Sequence, residues 1–180
     1  MPDSHVAKDA IDYLYSYGIV SGGYDDFFLP DNNITREQFV KILILAFGLY
    51  DTNAVSNFTD SEPNDWHYSY ISSAVKIGVV NGLSEEEFGV GVNIQRQELV
   101  AMAYRVADFT GYDFGEAENN FSDIDDAQEY AVTAINSIPI PFASDGVFMP
   151  SIHATRAEAC MMIYLMLESD EIPLNTEDNP

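Results

Sequence analysis

Basic residues are scarce in this chain of 180 residues, which has seven lysines and arginines against thirty aspartates and glutamates and a net charge of −23. Nucleic-acid binding depends on cationic side chains that neutralise phosphates, so this composition argues against that class of function. It argues equally against docking on an anionic lipid surface. The positions of the seven cations matter, because few are available to meet any anionic ligand.

Cysteine and long apolar runs are also scarce. Cys160 is the only cysteine, so no intramolecular disulfide is possible, and its apolar surroundings predict a small buried hydrophobic residue. No apolar run approaches the ~20 residues of a membrane-spanning helix, and we expect no membrane insertion. Apolar residues still make up 47% of the chain and aromatic residues 13%, which predicts a folded protein with a sizeable core.

The sequence offers little sign of catalysis or metal binding. The histidines, at positions 5, 67 and 153, have neither the spacing of metal ligands nor a Ser-His-Asp arrangement. Thirty carboxylates guarantee chance acid pairs, and the acidic clusters at 85–87 and 123–126 lack the residue order of a calcium loop. We therefore predict no catalytic residue, no metal site, no cofactor and no enzymatic activity.

A threefold repeat organises the residues that are present. An arginine recurs every sixty residues at the start of an apolar stretch, and a phenylalanine lies eight residues before each one. The three pairs are Phe28 and Arg36, Phe88 and Arg96, and Phe148 and Arg156. Such a repeat indicates a supersecondary unit that cannot bury its apolar face alone and packs against its own copies.

Each unit is predicted to consist of a helix, a loop and a second helix. Apolar spacing predicts first helices at 5–17, 65–77 and 126–137, and second helices at 35–49, 97–110 and 156–168. The second helices are the more apolar, so we predict an all-α fold in which they form a central three-helix bundle. The predicted repeats are 1–52, 53–115 and 116–170, and a polar tail follows at 171–180.

Each repeated arginine is predicted to lie at the beginning of a second helix. Thr35 and Thr155 fit a capping box there, and a helix N-terminus presents free N–H groups to an anion. A guanidinium beside it suits a carboxylate in two-point contact. Two interpretations stay open: an ion pair with an aspartate of a neighbouring repeat, or an acidic ligand in the groove between repeats.

These motifs resemble S-layer homology domains over nearly the whole chain. The family patterns are Phe-x-Asp, Gly-Ile-x-x-Gly, Phe-x-Pro and Thr-Arg-Ala-Glu, and the three copies carry them in register. The matching residues include Gly18, Ile19, Gly22, Phe28, Pro30, Thr35 and Arg36, then Phe58, Asp60, Trp66, Gly78, Gly82 and Arg96, then Phe121, Asp123, Tyr130, Phe148, Pro150, Thr155, Arg156 and Glu158. The third copy departs most, because residues 138–142 replace its glycine helix stop.

The resemblance implies a three-pronged spindle that is a non-catalytic anchoring module. Such modules hold larger exported proteins on bacterial cell surfaces, in the wall or S-layer, by binding a secondary cell-wall polymer, often through pyruvylated N-acetylmannosamine. The resemblance implies that the motif arginine meets the pyruvate carboxylate, while a glycine-bearing loop and a neighbouring aromatic residue line the sugar. Carried over, the ligand-binding candidates are Arg36, Arg96, Arg156, Ser21, Gly22, Asn81, Gly82 and Trp66.

Among these candidates we expect Arg36 and Arg96 to meet the ligand carboxylate more directly than Arg156, because the third copy departs most from the pattern. The alternative function is a protein-interaction or assembly module that kept the fold and lost the sugar site. The departures from the family pattern and the high negative charge motivate this alternative.

Overall fold

The computed structural model describes residues 4–22, 27–115, 117 and 119–168. Over these residues the regular structure is helical, without a strand, which confirms the predicted all-α class. The helices are α1 (Lys8–Ser16), α2 (Arg36–Ala46), α3 (Tyr68–Lys76), α4 (Arg96–Thr110), α5 (Glu129–Ser137) and α6 (Arg156–Glu168). The predicted polar tail lies outside the described residues.

The second helices begin within one residue of the predicted positions, whereas the first helices begin three residues late. Helix α3 begins late because Asp65 forms hydrogen bonds within the turn that precedes the helix. Its carboxylate accepts the N–H of Glu62 at 2.8 Å, and its carbonyl accepts the N–H of Tyr68 at 3.1 Å. Asp65 therefore closes a turn ahead of the helix and does not cap it.

The helices pack in a cyclic order that crosses the repeat boundaries. Helix α6 contacts both α2 and α4 in the centre, while α3 packs on α2, α5 on α4 and α1 on α6. Each first helix thus covers the second helix of the preceding repeat, and α1 closes the ring onto the last helix. No repeat buries its apolar face by itself, as the repeat pattern indicates.

A ring of backbone hydrogen bonds holds the beginnings of the central helices together. The Ile34 N–H donates to the Ala154 carbonyl at 3.1 Å, the Ile94 N–H to the Ile34 carbonyl at 3.0 Å, and the Ala154 N–H to the Ile94 carbonyl at 2.8 Å. All three side chains are fully buried. The ring places the three repeated arginines around one pseudo-threefold axis, because each lies two residues further along the chain.

The core confirms the prediction for Cys160. The side chain is fully buried in α6 among apolar residues. Burial raises the pKa of its thiol to about 12, against the opposing charge of Arg156. The thiol is therefore neutral at physiological pH and fills space as a small hydrophobic group.

Candidate functional site

The three arginines occupy equivalent backbone positions at the first residue of α2, α4 and α6. Each backbone N–H donates to a loop carbonyl of a neighbouring repeat. The three bonds join Arg36 to Val92, Arg96 to Ile152 and Arg156 to Asn32, each at 2.9 Å. Because a helix leaves its first N–H groups without intrahelical partners, these inter-repeat bonds both satisfy the helix ends and fix where the guanidinium groups lie.

Arg36 is buried at the boundary between the first and second repeats. Its Nε donates to the Phe88 carbonyl at 3.1 Å and its Nη2 to the Asn81 carbonyl at 2.9 Å, while Nη1 forms an ion pair with Glu98. The guanidinium also lies 5.0 Å from the centre of the Phe88 ring. Burial lowers the pKa of Arg36, and the charge of Glu98 opposes this shift, so the cation is held by an internal carboxylate.

Arg96 has the same kind of partner in the third repeat. Its Nη1 donates to the Phe148 carbonyl at 2.7 Å, and both Nε and Nη2 contact Oε1 of Glu158. The ring beneath the guanidinium is Phe142, at 5.4 Å, from the segment that replaces the glycine stop of this repeat. Arg96 is thus also paired internally.

Arg156 differs from both. Its Nε donates to the Phe28 carbonyl at 2.9 Å and its Nη2 to the Ser21 carbonyl at 3.1 Å, and it lies 4.4 Å from the centre of the Phe28 ring. Within the part of the chain that the structure describes, no carboxylate lies within ion-pair distance of Arg156. Burial lowers the pKa of Arg156, but a guanidinium stays charged in proteins.

The internal ion pairs correct the interpretation that aspartates would be the partners of the repeated arginines. The partners are Glu98 and Glu158, which lie at the third position of α4 and α6. Each glutamate also accepts the backbone N–H of its own N-cap residue, at 2.8 Å and 3.0 Å. The glutamate of the capping box therefore has two roles, one within its own helix and one toward the preceding repeat.

The first of two clefts between repeats, which we name cleft A, has a volume of about 280 Å³. Its polar and aromatic lining comes from Arg156, Ser21, Gly22, Gln38, Lys41 and Trp66. The Lys41 ammonium lies 5.8 Å from the centre of the Trp66 ring, and the Trp66 side chain is 54% exposed. The described lining contains two cations, Arg156 and Lys41, and neither an aspartate nor a glutamate.

The second cleft, which we name cleft B, is the equivalent space beside Arg36 and has a volume of about 350 Å³. Its polar and aromatic lining comes from Arg36, Asn81, Gly82, Glu98, Arg105 and Tyr130. Gly82 is required for packing, because a Cβ there would lie 2.4 Å from the Glu87 carbonyl oxygen. Cleft B also has two cations, but Glu98 neutralises one of them.

The structure therefore distributes the candidate residues over two clefts. Arg156, Ser21, Gly22 and Trp66 meet in cleft A, and Arg36, Asn81 and Gly82 meet in cleft B. Arg96 lies in neither lining and contacts Phe142 instead. Among the described residues, Arg36 and Arg96 have a carboxylate partner and Arg156 has none, and the order in which the three arginines meet a ligand stays a prediction.

Sequence reasoning did not select Gln38, Lys41, Arg105 or the Arg-pairing role of Glu98. Lys41 and Arg105 lie within apolar helices, where a long cationic side chain is ordinarily a solvated surface residue. The repeat alignment could have found Gln38, because it is the one copy in which the capping-box acid is replaced by an amide.

The Phe-x-Asp motifs have a structural role near the clefts. The Asp60 carboxylate accepts the backbone N–H groups of Phe88, Gly89 and Val90 at 2.8, 2.7 and 2.8 Å. Asp123 holds the equivalent loop of the third repeat through Phe148 at 3.0 Å. Each aspartate therefore fixes the loop whose phenylalanine carbonyl receives an arginine.

The described residues contain no group of three or more His, Cys, Asp or Glu side chains arranged to hold a metal ion. In the same residues, no helix is both long enough and apolar enough to cross a bilayer. Each cleft combines cations, backbone groups and an aromatic ring around an open space, which is an arrangement suited to binding a ligand.

Comparison with known proteins identifies the family. Residues 2–40 and 57–100 match the model of the S-layer homology domain. The third repeat falls outside the matched residues, but its Glu158 pairs with Arg96 as Glu98 pairs with Arg36, and its Asp123 holds a loop as Asp60 does in the second repeat. The chain belongs to the S-layer homology family.

Relatives with this module include surface proteins and enzymes. The S-layer protein EA1 of Bacillus anthracis is 33% identical over 174 residues, which cover 92% of this chain and 19% of that protein. The amylopullulanase of Thermoanaerobacterium thermosulfurigenes is 30% identical over 90% of this chain but only 9% of its own length. The cellulosome-anchoring protein of Acetivibrio thermocellus is 31% identical over 58% of this chain and 24% of its own length.

The chain thus spans less than a quarter of each of these relatives. The shared segment is the same in an S-layer protein and in an enzyme, so it is not the catalytic part of the enzyme. The family and its relatives indicate a non-catalytic anchoring module at the cell surface.

Proposed function

We propose that this module attaches a larger exported protein to the bacterial cell wall by binding an anionic secondary wall polysaccharide in the clefts between its repeats. The bound group in this proposal is the carboxylate of a pyruvylated sugar such as N-acetylmannosamine. The whole polypeptide supplies the exported partner in cis, as in the long relatives that carry the same segment.

The observation that carries the proposal is the composition of cleft A. Four of the seven cations of the chain line the two clefts, and cleft A sets Arg156 and Lys41 beside an exposed tryptophan. A guanidinium suits a carboxylate, and an exposed indole offers an apolar face to a sugar ring. The net charge of −23 repels an anionic polymer at long range. This repulsion is screened within about 8 Å at physiological salt, so binding relies on these short-range contacts.

Co-sedimentation with purified cell walls tests the proposal. The protein should pellet with walls that carry the secondary polymer and should stay in solution with walls from which acid has removed it. Arg156→Gln should weaken retention about tenfold or more, because a charge-assisted hydrogen bond to the carboxylate is lost.

Lys76→Gln is the matched control, because it removes the same charge at an exposed site outside both clefts, where Lys76 pairs with Asp51. Retention that does not depend on the polymer, together with self-association in solution, would favour the assembly module over the polysaccharide-binding module.

A further inference from the structure

We propose that one end of the central bundle is a surface through which two copies of this chain associate. We name this surface the cap. It consists of three equivalent loops that precede the central helices, at 29–33, 89–93 and 149–153. None of these residues lines cleft A or cleft B, so the inference goes beyond the proposed function and does not rest on it.

Backbone hydrogen bonds bring the three loops together around the pseudo-threefold axis. The carbonyls of Asn32, Val92 and Ile152 each accept the first N–H of a central helix from another repeat, at 2.9 Å. The N–H of each of these residues donates to the carbonyl three positions earlier, at 3.2 to 3.3 Å, and so closes a turn within its loop. The cap is therefore a surface that the fold itself holds in place.

Exposed apolar side chains are concentrated on the cap. Thirteen large hydrophobic side chains are exposed among the described residues, and four of them lie within these fifteen positions. The four are Leu29, Val92, Met149 and Ile152, which are 38% to 50% exposed. Single exposed hydrophobic residues are ordinary on a protein surface, whereas a cluster of them around one axis marks an interaction site.

Two of the four residues have a backbone conformation that disfavours a large side chain. Leu29 and Met149 have φ angles of 53° and 58°, in the left-handed region that glycine adopts most readily. In the second repeat the equivalent residue is a glycine, Gly89, with a φ angle of 95°. The chain thus presents two large apolar side chains to solvent at the cost of backbone strain, and strain of this kind clusters at functional surfaces.

The charge distribution favours a second copy of this chain as the partner. Asp31 is the only aspartate or glutamate within the cap, so twenty-nine of the thirty acidic residues lie outside it, and the cap has no lysine or arginine. Two copies with a net charge of −23 repel each other wherever their acidic surfaces approach. At the cap they meet with little of that repulsion, and the exposed apolar residues of each copy cover those of the other. A twofold axis gives such a contact, in which the same residues face each other.

The size of the cap predicts a weak contact. A stable interface commonly uses about 20–30 residues from each partner, whereas the cap has fifteen positions. We expect a reversible dimer with a Kd of about 0.1–1 mM. Higher salt should tighten the dimer severalfold, because it screens the repulsion between the acidic surfaces and leaves the apolar contact intact.

Sedimentation velocity tests the proposal at protein concentrations from about 10 μM to about 1 mM, in about 0.05 M and about 0.5 M NaCl. The unmodified protein should show a monomer–dimer equilibrium that shifts toward the dimer at the higher salt concentration. Val92→Asp combined with Ile152→Asp should weaken association about tenfold or more, because acids of both copies would then face each other. Val55→Asp combined with Phe109→Asp is the matched control and should have little effect, since it adds the same charge at exposed apolar sites outside the cap.

A protein that stays monomeric over this range, or whose association weakens with salt, would overturn the proposal. Association that is lost in the control variant and kept in the cap variant would place the contact elsewhere and would also overturn it. If the cap variant does not fold, the amide resonances of the unmodified protein decide. Those of 29–33, 89–93 and 149–153 should move on dilution, and unchanged resonances there would contradict the contact.

The outcome is independent of polysaccharide binding. Association through the cap leaves both clefts outside the contact, so it does not by itself favour the assembly module over the polysaccharide-binding module. Retention on walls reports on the clefts, and sedimentation of the free protein reports on the cap. A failure of either proposal therefore leaves the other standing.

Discussion

Arg36 forms an ion pair with Glu98, sixty-two residues further along the chain, and the arginine side chain in this pair is only 3% exposed. The pair joins the beginning of α2 to the beginning of α4, so it links two repeats. The arginine that lines cleft B is thus also part of the contact that holds the repeats together. A mutation of Arg36 is therefore expected to change both the stability of the fold and the lining of the cleft.

Arg36→Met should destabilise the protein by about 3 kcal/mol, because it leaves the carboxylate of Glu98 largely buried and unpaired. The double substitution Arg36→Met with Glu98→Gln should recover part of this loss, since the orphaned charge is removed. Urea unfolding followed by circular dichroism measures both. A loss below about 0.5 kcal/mol for the single variant would contradict the structural role of the pair. Reduced wall binding of an Arg36 variant therefore does not by itself indicate a lost ligand contact.

The loop carboxylate Asp60 should make stability depend on pH. Burial tends to raise the pKa of Asp60, but three backbone N–H donors prevail and hold it below its ordinary value. A carboxyl group with a depressed folded pKa stabilises the protein above its unfolded pKa of about 3.9, and this stability is lost as the pH falls through the folded value.

Asp60→Asn should therefore flatten the fall in the free energy of unfolding below about pH 4, and should cost about 1–2 kcal/mol at pH 7. Unfolding curves between pH 7 and pH 2.5 measure this, with the exposed Asp126→Asn as the control. Parallel pH profiles for the original protein and Asp60→Asn would contradict the role of the three backbone hydrogen bonds.

Trp66 should contribute to binding and little to stability. It is the only tryptophan and its side chain is 54% exposed at the rim of cleft A, so its fluorescence reports on that cleft alone. Trp66→Ala should weaken wall binding about two- to tenfold, since an aromatic contact of this kind is worth about 0.5–1.5 kcal/mol, while the unfolding midpoint stays nearly unchanged. Phe109→Ala removes an aromatic side chain of similar exposure outside both clefts and should leave retention on walls unaltered.

The closure of the ring between α1 and α6 should be a major source of stability. Leu14 of α1 is fully buried in the core, and Leu14→Ala should cost about 2–5 kcal/mol. Val6→Ala, at a site that is 82% exposed, should change the free energy of unfolding by less than about 0.5 kcal/mol. Equal effects of the two substitutions would show that α1 does not contribute to the core in the way its packing on α6 indicates.

The positions of most helices could be predicted from the sequence, because the same pattern of capping and apolar residues occurs in all three repeats. The beginnings of α2, α4 and α6 were predictable from the capping residues and the apolar periodicity that follows them. The packing of α1 on α6, and not on its own repeat, was not predictable, because helical periodicity tells which face is buried and not which helix covers it.

The sequence predicted which residues line the clefts better than it predicted which arginines are paired with a carboxylate. Ser21, Gly22, Trp66 and Arg156 do meet in one cleft, although they come from three repeats. Whether an arginine has a carboxylate partner depends on contacts across repeats. Only the structure shows that the third residue of one central helix faces the arginine of another.

The most direct test of the account is a titration of Trp66 fluorescence with a pyruvylated N-acetylmannosamine and with the same sugar lacking the pyruvate. The account predicts a saturable change with the pyruvylated sugar, weakened about tenfold or more in Arg156→Gln, and none with the uncharged sugar over the same concentrations. Equal responses to both sugars, or an undiminished response in Arg156→Gln, would contradict the claim that this guanidinium receives the acid of the wall polysaccharide.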